Sequence, residues 1–220
     1  SLVIESSLEA LSSLAEACKV EFASFYKQLI PFLVNIIKSY KGDVYKKMKG
    51  RAIECLTLMC SSVGKEVFSQ NANEVINLLI EIQNTELTQN DPLRAYIMSA
   101  WQRICATLGS DFSYFLEQIV PGLLQGVSTE ASVSIASEPG TFVDIQSLMT
   151  EDSKKKISVT TADLEEKDVA MNTLLTIIDV VKGGFAPYVQ QTSAIITPLL
   201  DYTVNESVRS TGIEVFYVES

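Results

Sequence analysis

The chain has 220 residues, 47% apolar and 20% charged, with 17 basic against 27 acidic side chains, a formal charge of −10 and no histidine. Without an imidazole, Ser-His-Asp and Cys-His catalysis, His-ligated metals and His acid–base chemistry are excluded. The acidity opposes phosphate contacts with nucleic acid and favours basic proteins or peptides as partners.

Helix-period apolar spacing runs along the chain and the period-2 alternation of strands is nearly absent, which predicts an all-α fold. Leu2, Ile4, Leu8, Leu11 and Leu14 predict a helix at about 2–18, the second helix of a preceding repeat that occupies 1–20. Gly64 closes AIECLTLMCSSVG and Gly109 closes AYIMSAWQRICATLG, 45 residues on, and each is followed by a polar pair and an aromatic. Gly183-Gly184 closes a third such run, and EACKVEFASFY near the start shares its character. A step of 45 residues is the signature of helix-pair repeats of the HEAT or armadillo kind, too long for 34-residue units. The first helices of the pairs fall at about 22–40, 66–84, 111–127 and 186–202, and three of them carry a proline, Pro31, Pro121 and Pro198, that bends an outer helix. Second helices fall at about 44–63, 92–108, 165–182 and 205 to the end, with Asp91-Pro92 opening one of them.

The reading is a single array over 1–220, a right-handed α-solenoid of antiparallel HEAT pairs, with repeats at 22–64, 66–109 and 111–183 and a partial repeat at 186–220. The third repeat carries an inserted acidic loop at about 128–162. From Ser128 to Asp168 the sequence holds nine acidic residues against four lysines, so much of this stretch is expected to be mobile, with FVDIQSLM packing locally. Both ends lie inside helical patterns and read as cuts through a longer superhelix. A basic segment leading into a short apolar run is missing from the start, and no apolar stretch approaches the roughly 18 residues that cross a bilayer. Cys18, Cys55, Cys60 and Cys105 form no C-x-x-C pair and sit among apolar residues, which suits core thiols in cytosol or nucleus.

No phosphate-binding G-x-x-x-x-G-K-[ST] loop is present and Glu165-Glu166 are adjacent rather than facing across a cleft, so the chain is read as a binding protein and not an enzyme, with no cofactor and no metal. In a solenoid the second helices line the concave face. On the helix at 44–63, Ala52, Leu56, Met59, Cys60 and Val63 form the buried stripe and leave Lys47, Arg51, Glu54, Thr57 and Ser61 outward. The same line continues through Ser99, Gln102, Arg103 and Ala106, then Asn172, Thr173, Thr176 and Asp179. Glu54 has two readings: partner of Arg51 on its own helix, or acceptor for a ligand's lysine or arginine. Trp101 is in register with Ile97, Ile104 and Leu108 and reads as core. The junction aromatics Phe22, Phe25, Phe112, Phe115, Phe185 and Tyr188 read as mostly core, any exposed one being able to take a hydrophobic peptide. Lys154-Lys155-Lys156 is assigned nothing.

The segments GRAIECLTLMCSSVGKEVF, AWQRICATLGSDFSYFL and TADLEEKDVAMNTLL, in this order and spacing, resemble the middle of receptors of the importin-β superfamily. The long acidic loop before LEEK falls where such receptors have one, while VRSTGIEVFYVES departs from the alanine-rich helix they carry there. The resemblance implies a nuclear import receptor that shuttles between cytoplasm and nucleus. Such a receptor binds basic cargo such as ribosomal proteins and histones, touches phenylalanine-glycine nucleoporins, and is made to release cargo by the GTP-bound form of the GTPase Ran, which is held mainly outside this segment. The cargo residues it suggests are Glu54, Ser99, Gln102, Asn172 and Asp179. A HEAT scaffold subunit of a multiprotein assembly, of the phosphatase kind, is the alternative.

Overall fold

The computed structural model describes residues 2–85, 87, 91–128, 133–136, 156–159, 161–201 and 210. Among the described residues eight α-helices follow one another up to Asp201: α1 Leu2–Cys18, α2 Ala23–Ser39, α3 Lys46–Phe68, α4 Ala72–Thr85, α5 Leu93–Leu108, α6 Leu116–Ser128, α7 Thr161–Val181 and α8 Val189–Ile196. The even-numbered helices form one layer and the odd-numbered another, because α3 packs on α1 and α5, α5 on α7, and each of α2, α4 and α6 on the odd helix that follows it. The odd helices run parallel. Glu5 and Glu9 of α1 meet Lys47 and Arg51 of α3, Thr57 meets Arg103 of α5, and Met98 and Gln102 meet Thr173 and Thr176 of α7, so partner numbers rise together. The expected all-α solenoid of helix pairs is the fold.

The 45-residue step has a backbone cause. Each odd helix ends on a residue with positive φ: Lys19 (47°), Gly64 (78°), Gly109 (64°) and Lys182 (48°). The reversed backbone turns the chain toward the outer layer, and three or four residues later an aromatic drops into the core: Phe22, Phe68, Phe112 and Phe185, all 2% exposed or less. Three of these turns are 3₁₀ segments, Lys19–Phe22, Gly109–Phe115 and Lys182–Tyr188, while at the second α3 continues through a non-helical Gly64 to Phe68. In the third repeat the reversed residue is Lys182, and Gly183 and Gly184 follow it without positive φ. Sequence reading had given that place to the glycines.

Pro31 and Pro121 lie inside α2 and α6, on the exposed side, as a bend in an outer helix allows. Pro198 instead opens no helical interior; it sits in a closing 3₁₀ turn, Thr197–Asp201. Trp101 is fully buried, its Nε1–H donating to Gln83 Oε1 at 2.9 Å, while Gln83 Nε2 donates to the Gln118 carbonyl at 3.2 Å. One amide thus satisfies the indole and ties α4 to α6. At the start of α5 the buried Asp91 accepts from Leu93 N (2.9 Å) and from Lys46 Nζ (2.7 Å), joining the first turns of α3 and α5. Cys55, Cys60 and Cys105 are buried free thiols, as expected, and burial pushes Cys60 and Cys105 up to about 12.

Two findings depart from the sequence reading. Between α6 and α7 the strands Val133–Ala136 and Lys156–Val159 pair antiparallel, Val133 opposite Val159 and Ala136 opposite Lys156. Four residues of V-S-I-A and K-I-S-V alternation are too short to register against the helical background. The runs Val3–Ser39 and Lys167–Leu199 also contain 18-residue windows with hydropathy of 1.2 and 1.4, in the range that crosses a membrane by length and composition. Part of their apolar surface, including Tyr26, Ile30, Leu33, Ile37, Met171, Leu174 and Ile177, is buried in the inter-layer core, while Leu14, Val20, Phe25 and Phe32 of the first run are exposed. The FVDIQSLM stretch, Lys154 and Lys155, and the helix expected from 205 onward lie outside the described residues.

Candidate functional site

A helix between two parallel neighbours buries two sides and keeps one strip in solvent, and on the odd helices that strip is polar. On α3 it holds Lys47, Arg51 and Glu54; on α5 Ser99, Gln102, Arg103 and Ala106; on α7 Asn172, Thr176 and Asp179. Thr57 and Thr173, expected on the same line, are fully buried instead. They point between helices, and their hydroxyls donate to carbonyls: Thr57 to Ile53 (3.0 Å), Thr173 to Val169 (2.7 Å) and across to Met98 (3.2 Å). A helix sandwiched between two others buries a wider arc than the single apolar stripe of a surface helix, and Thr57 and Thr173 fall inside that arc.

The strip is cross-linked. Glu5 of α1 pairs with Lys47 at 3.7 Å and Glu9 with Arg51 at 3.3 Å. Glu54, with 28% of its side chain exposed, receives Arg51 Nη1 at 2.9 Å and Arg103 Nη2 at 3.7 Å. Arg103 Nη1 also reaches Thr57 Oγ1 at 3.5 Å. The hydrogen bond that Arg51 donates to Glu54 raises the guanidinium above its ordinary value, so it is fixed as a cation. Gln102 Nε2 donates to Thr176 Oγ1 at 3.1 Å, Thr176 in turn donates to the Asn172 carbonyl at 2.9 Å, and Asn172 Nδ2 bonds the Asp168 carbonyl and carboxylate at 2.9 and 3.2 Å. Three inter-helix steps are thereby spanned by polar contacts.

Of the five residues expected from sequence, Glu54 belongs to the ion-pair group of α1, α3 and α5, Gln102 and Asn172 to the amide and hydroxyl group of α5 and α7, and Ser99 lies half-buried on α5. Asp179 is exposed two turns further along α7, where it lines a pocket of about 410 Å³ with Ile178, Lys182, Phe185 and Val189. Both readings of Glu54 are affected. Its pairing with Arg51 exists, and a second guanidinium from the next helix occupies it as well. Glu5, Glu9 and Arg103 were not among the picked residues. The signal for Glu9 was in the sequence: the 45-residue step that leads from Glu54 to Ser99 leads backward from Glu54 to Glu9.

A two-layer array of helix pairs with a polar strip along one layer and a 45-residue step defines a helical-repeat solenoid. A protein-family profile described as importin subunit beta-1-like, TPR repeats, matches residues 1–144. The chain belongs to the importin-β family. It is 33% identical over 216 residues to importin subunit beta-3 of Saccharomyces cerevisiae, covering 96% of this chain and 20% of that protein. The crystal structure of Kap121p bound to Pho4p superposes with a TM-score of 0.77 at 29% identity, over 98% of this chain and 20% of that one. Kap121p bound to Nup53p gives 0.75 at 31%, with coverage of 98% and 20%. The chain therefore spans about a fifth of the length of the relatives it matches.

Proposed function

We propose that the chain is a segment of a nuclear import receptor and that the polar strip of α1, α3, α5 and α7 contacts basic cargo in transport regulated by Ran. The observation that carries this is the strip of polar contacts that bridges each step between neighbouring odd helices in a protein of net charge −10, belonging to a family whose solved members include one captured with Pho4p. Glu54, Ser99, Gln102, Asn172 and Asp179 are the proposed cargo residues. The amides and hydroxyls suit the backbone of an extended peptide, and the carboxylates suit its lysines. The cargo class is basic proteins, ribosomal proteins and histones among them, and the receptor would pass between cytoplasm and nucleus.

Nucleoporin contact belongs to the same reading. Phe25 and Phe32 stand on α2, seven residues apart and 58% and 68% exposed, Phe32 beside Val3, Ile4 and Leu8 of α1, where phenylalanine-glycine repeats would find apolar surface. The similar chain held with Nup53p supports this part. Repeat boundaries at 22–64, 66–109, 111–183 and 186–220 are proposed on the same footing, the reversed residues at 19, 64, 109 and 182 supporting them.

Pull-down at moderate salt tests the proposal: the chain is expected to retain both a lysine-rich import signal and phenylalanine-glycine repeats, and failure with both removes the transport reading in favour of a scaffold. Glu54→Lys is expected to weaken the lysine-rich peptide while leaving helix content intact, since the residue is part-exposed. Unchanged affinity would take Glu54 out of the site.

A further inference from the structure

We infer that Glu54 and Arg103 form an intramolecular clasp between α3 and α5, and that Arg103 is a resident occupant which a ligand's ammonium group has to displace to reach Glu54. The second half rests on the cargo reading above; the first does not.

Glu54 is the one carboxylate in the described strip held by guanidinium groups from two helices. The two holds differ. Arg51 lies three residues before Glu54 on the same helix, at 2.9 Å, and is anchored a second time by Glu9. Arg103 comes from α5 and touches at longer range, 3.7 Å to Glu54 and 3.5 Å to the Thr57 hydroxyl. Charge-assisted hydrogen bonds of the stronger kind lie near 2.7–2.9 Å, so the contact of Arg103 is the weaker one and gives way first. Among the described residues Arg103 pairs with no other carboxylate, whereas Arg51 keeps Glu9 when Glu54 is taken.

Two consequences follow. A lysine that reaches Glu54 removes the only ion pair between α3 and α5 at mid-helix among the described residues, so ligand engagement loosens one step of the stack and alters local curvature. Arg103 also raises the threshold for binding. A pair exposed to this degree has a modest worth, so its displacement weakens a lysine ligand by about two- to fivefold.

The test places spin labels at Ser61 and Ala106, exposed positions 45 residues apart on α3 and α5, in a Cys18→Ala background, and measures their distance distribution by pulsed electron resonance. Arg103→Gln and Glu54→Gln are each expected to broaden or lengthen it. A fluorescein-tagged peptide of alternating lysine and serine is then titrated against each form by anisotropy, with Arg103→Gln expected to bind about two- to fivefold more tightly and Glu54→Gln more weakly than the unaltered chain. A distance indifferent to Arg103→Gln overturns the clasp, whatever the peptide does. A distance that responds, with equal or weaker peptide binding in Arg103→Gln, overturns the displacement. A distance that responds while no form binds peptide leaves the clasp standing and removes the cargo reading.

Discussion

The four reversed residues at the ends of the odd helices carry two glycines and two lysines, and that difference predicts opposite responses to substitution. Gly64 (φ 78°, ψ 172°) and Gly109 (φ 64°, ψ −138°) lie in or beside a backbone region that is essentially reserved for glycine. A Cβ added at either meets nothing within 4 Å, so the cost of Gly→Ala there is backbone strain alone. That strain is about 1–3 kcal/mol, offset by roughly 0.4–1 kcal/mol from the stiffer unfolded chain. Gly109→Ala should therefore destabilise by about 1–2 kcal/mol. Lys19 and Lys182, at φ 47° and 48°, already bear a side-chain penalty of about 1–2 kcal/mol, and glycine relieves it at an entropic cost of roughly 0.5–1 kcal/mol. Lys182→Gly should be neutral to stabilising by about 1 kcal/mol. Urea unfolding with an unchanged m-value reads both, the m-value guarding against local unfolding of one repeat. If Gly109→Ala were neutral or stabilising, the positive-φ junction would not be what sets the 45-residue step.

Two further outcomes are expected. At Gly50 a Cβ would overlap the ring of Tyr96, which packs directly on the α3 backbone, so Gly50→Ala should lower the thermal midpoint by an amount corresponding to about 1–3 kcal/mol, and a concurrent Tyr96→Ala should make the glycine substitution nearly silent. Burial holds the Cys60 and Cys105 thiols up to about 12, against 9.0 for a free thiol, so the folded chain retains protons that the unfolded chain releases. Their contribution is complete below pH 9 and is lost as pH rises toward 12, with a limiting slope of about 1.4 kcal/mol per pH unit for each thiol. The melting midpoint should fall between pH 9 and 10.5, and Cys60→Ala with Cys105→Ala should flatten that fall; a level profile in the unaltered chain would contradict it.

The architecture was legible because it repeats. A left-handed residue followed by an aromatic leaves the same trace at each junction, and Gly64 and Gly109 display it openly. Lys19 and Lys182 share the positive φ with no compositional mark, so the sequence points to Gly183, one residue late, for the fourth turn. The short ribbon of Val133–Ala136 and Lys156–Val159 escaped because its strands are four residues each and separated by the insertion, and neither run alone differs from a helix turn. Thr57 and Thr173 were misplaced for a packing reason: a helix with parallel neighbours on both sides buries a wider arc than a hydrophobic stripe reveals, and a threonine that bonds its own helix carbonyls enters that arc without an unmet polar group.

The site was legible as a line but not as a circuit. Period arithmetic puts Glu9, Glu54 and Ser99 on equivalent faces and lets Asn172 be reached across the insertion, so the strip can be drawn from sequence alone. What it cannot supply is who compensates whom. Arg51 is a visible neighbour of Glu54 at three residues; Arg103 lies 49 residues away and meets it only because α3 and α5 run parallel at a contact offset of 46, the separation between Thr57 and Arg103. That offset exceeds the 45-residue repeat by one, which moves the contact partner of α3 from Gln102, the position picked for cargo, to Arg103, which meets Glu54. Gln102 is left free to turn the other way and bond Thr176 on α7. A single residue of register thus decides whether Glu54 is an open acceptor or a closed ion pair, and the chemistry of the strip follows from the closed form: a cation arriving at α3 meets a carboxylate already shared, while the amides of Gln102 and Asn172 are engaged with α7 and the carboxylate of Asp179 stands exposed.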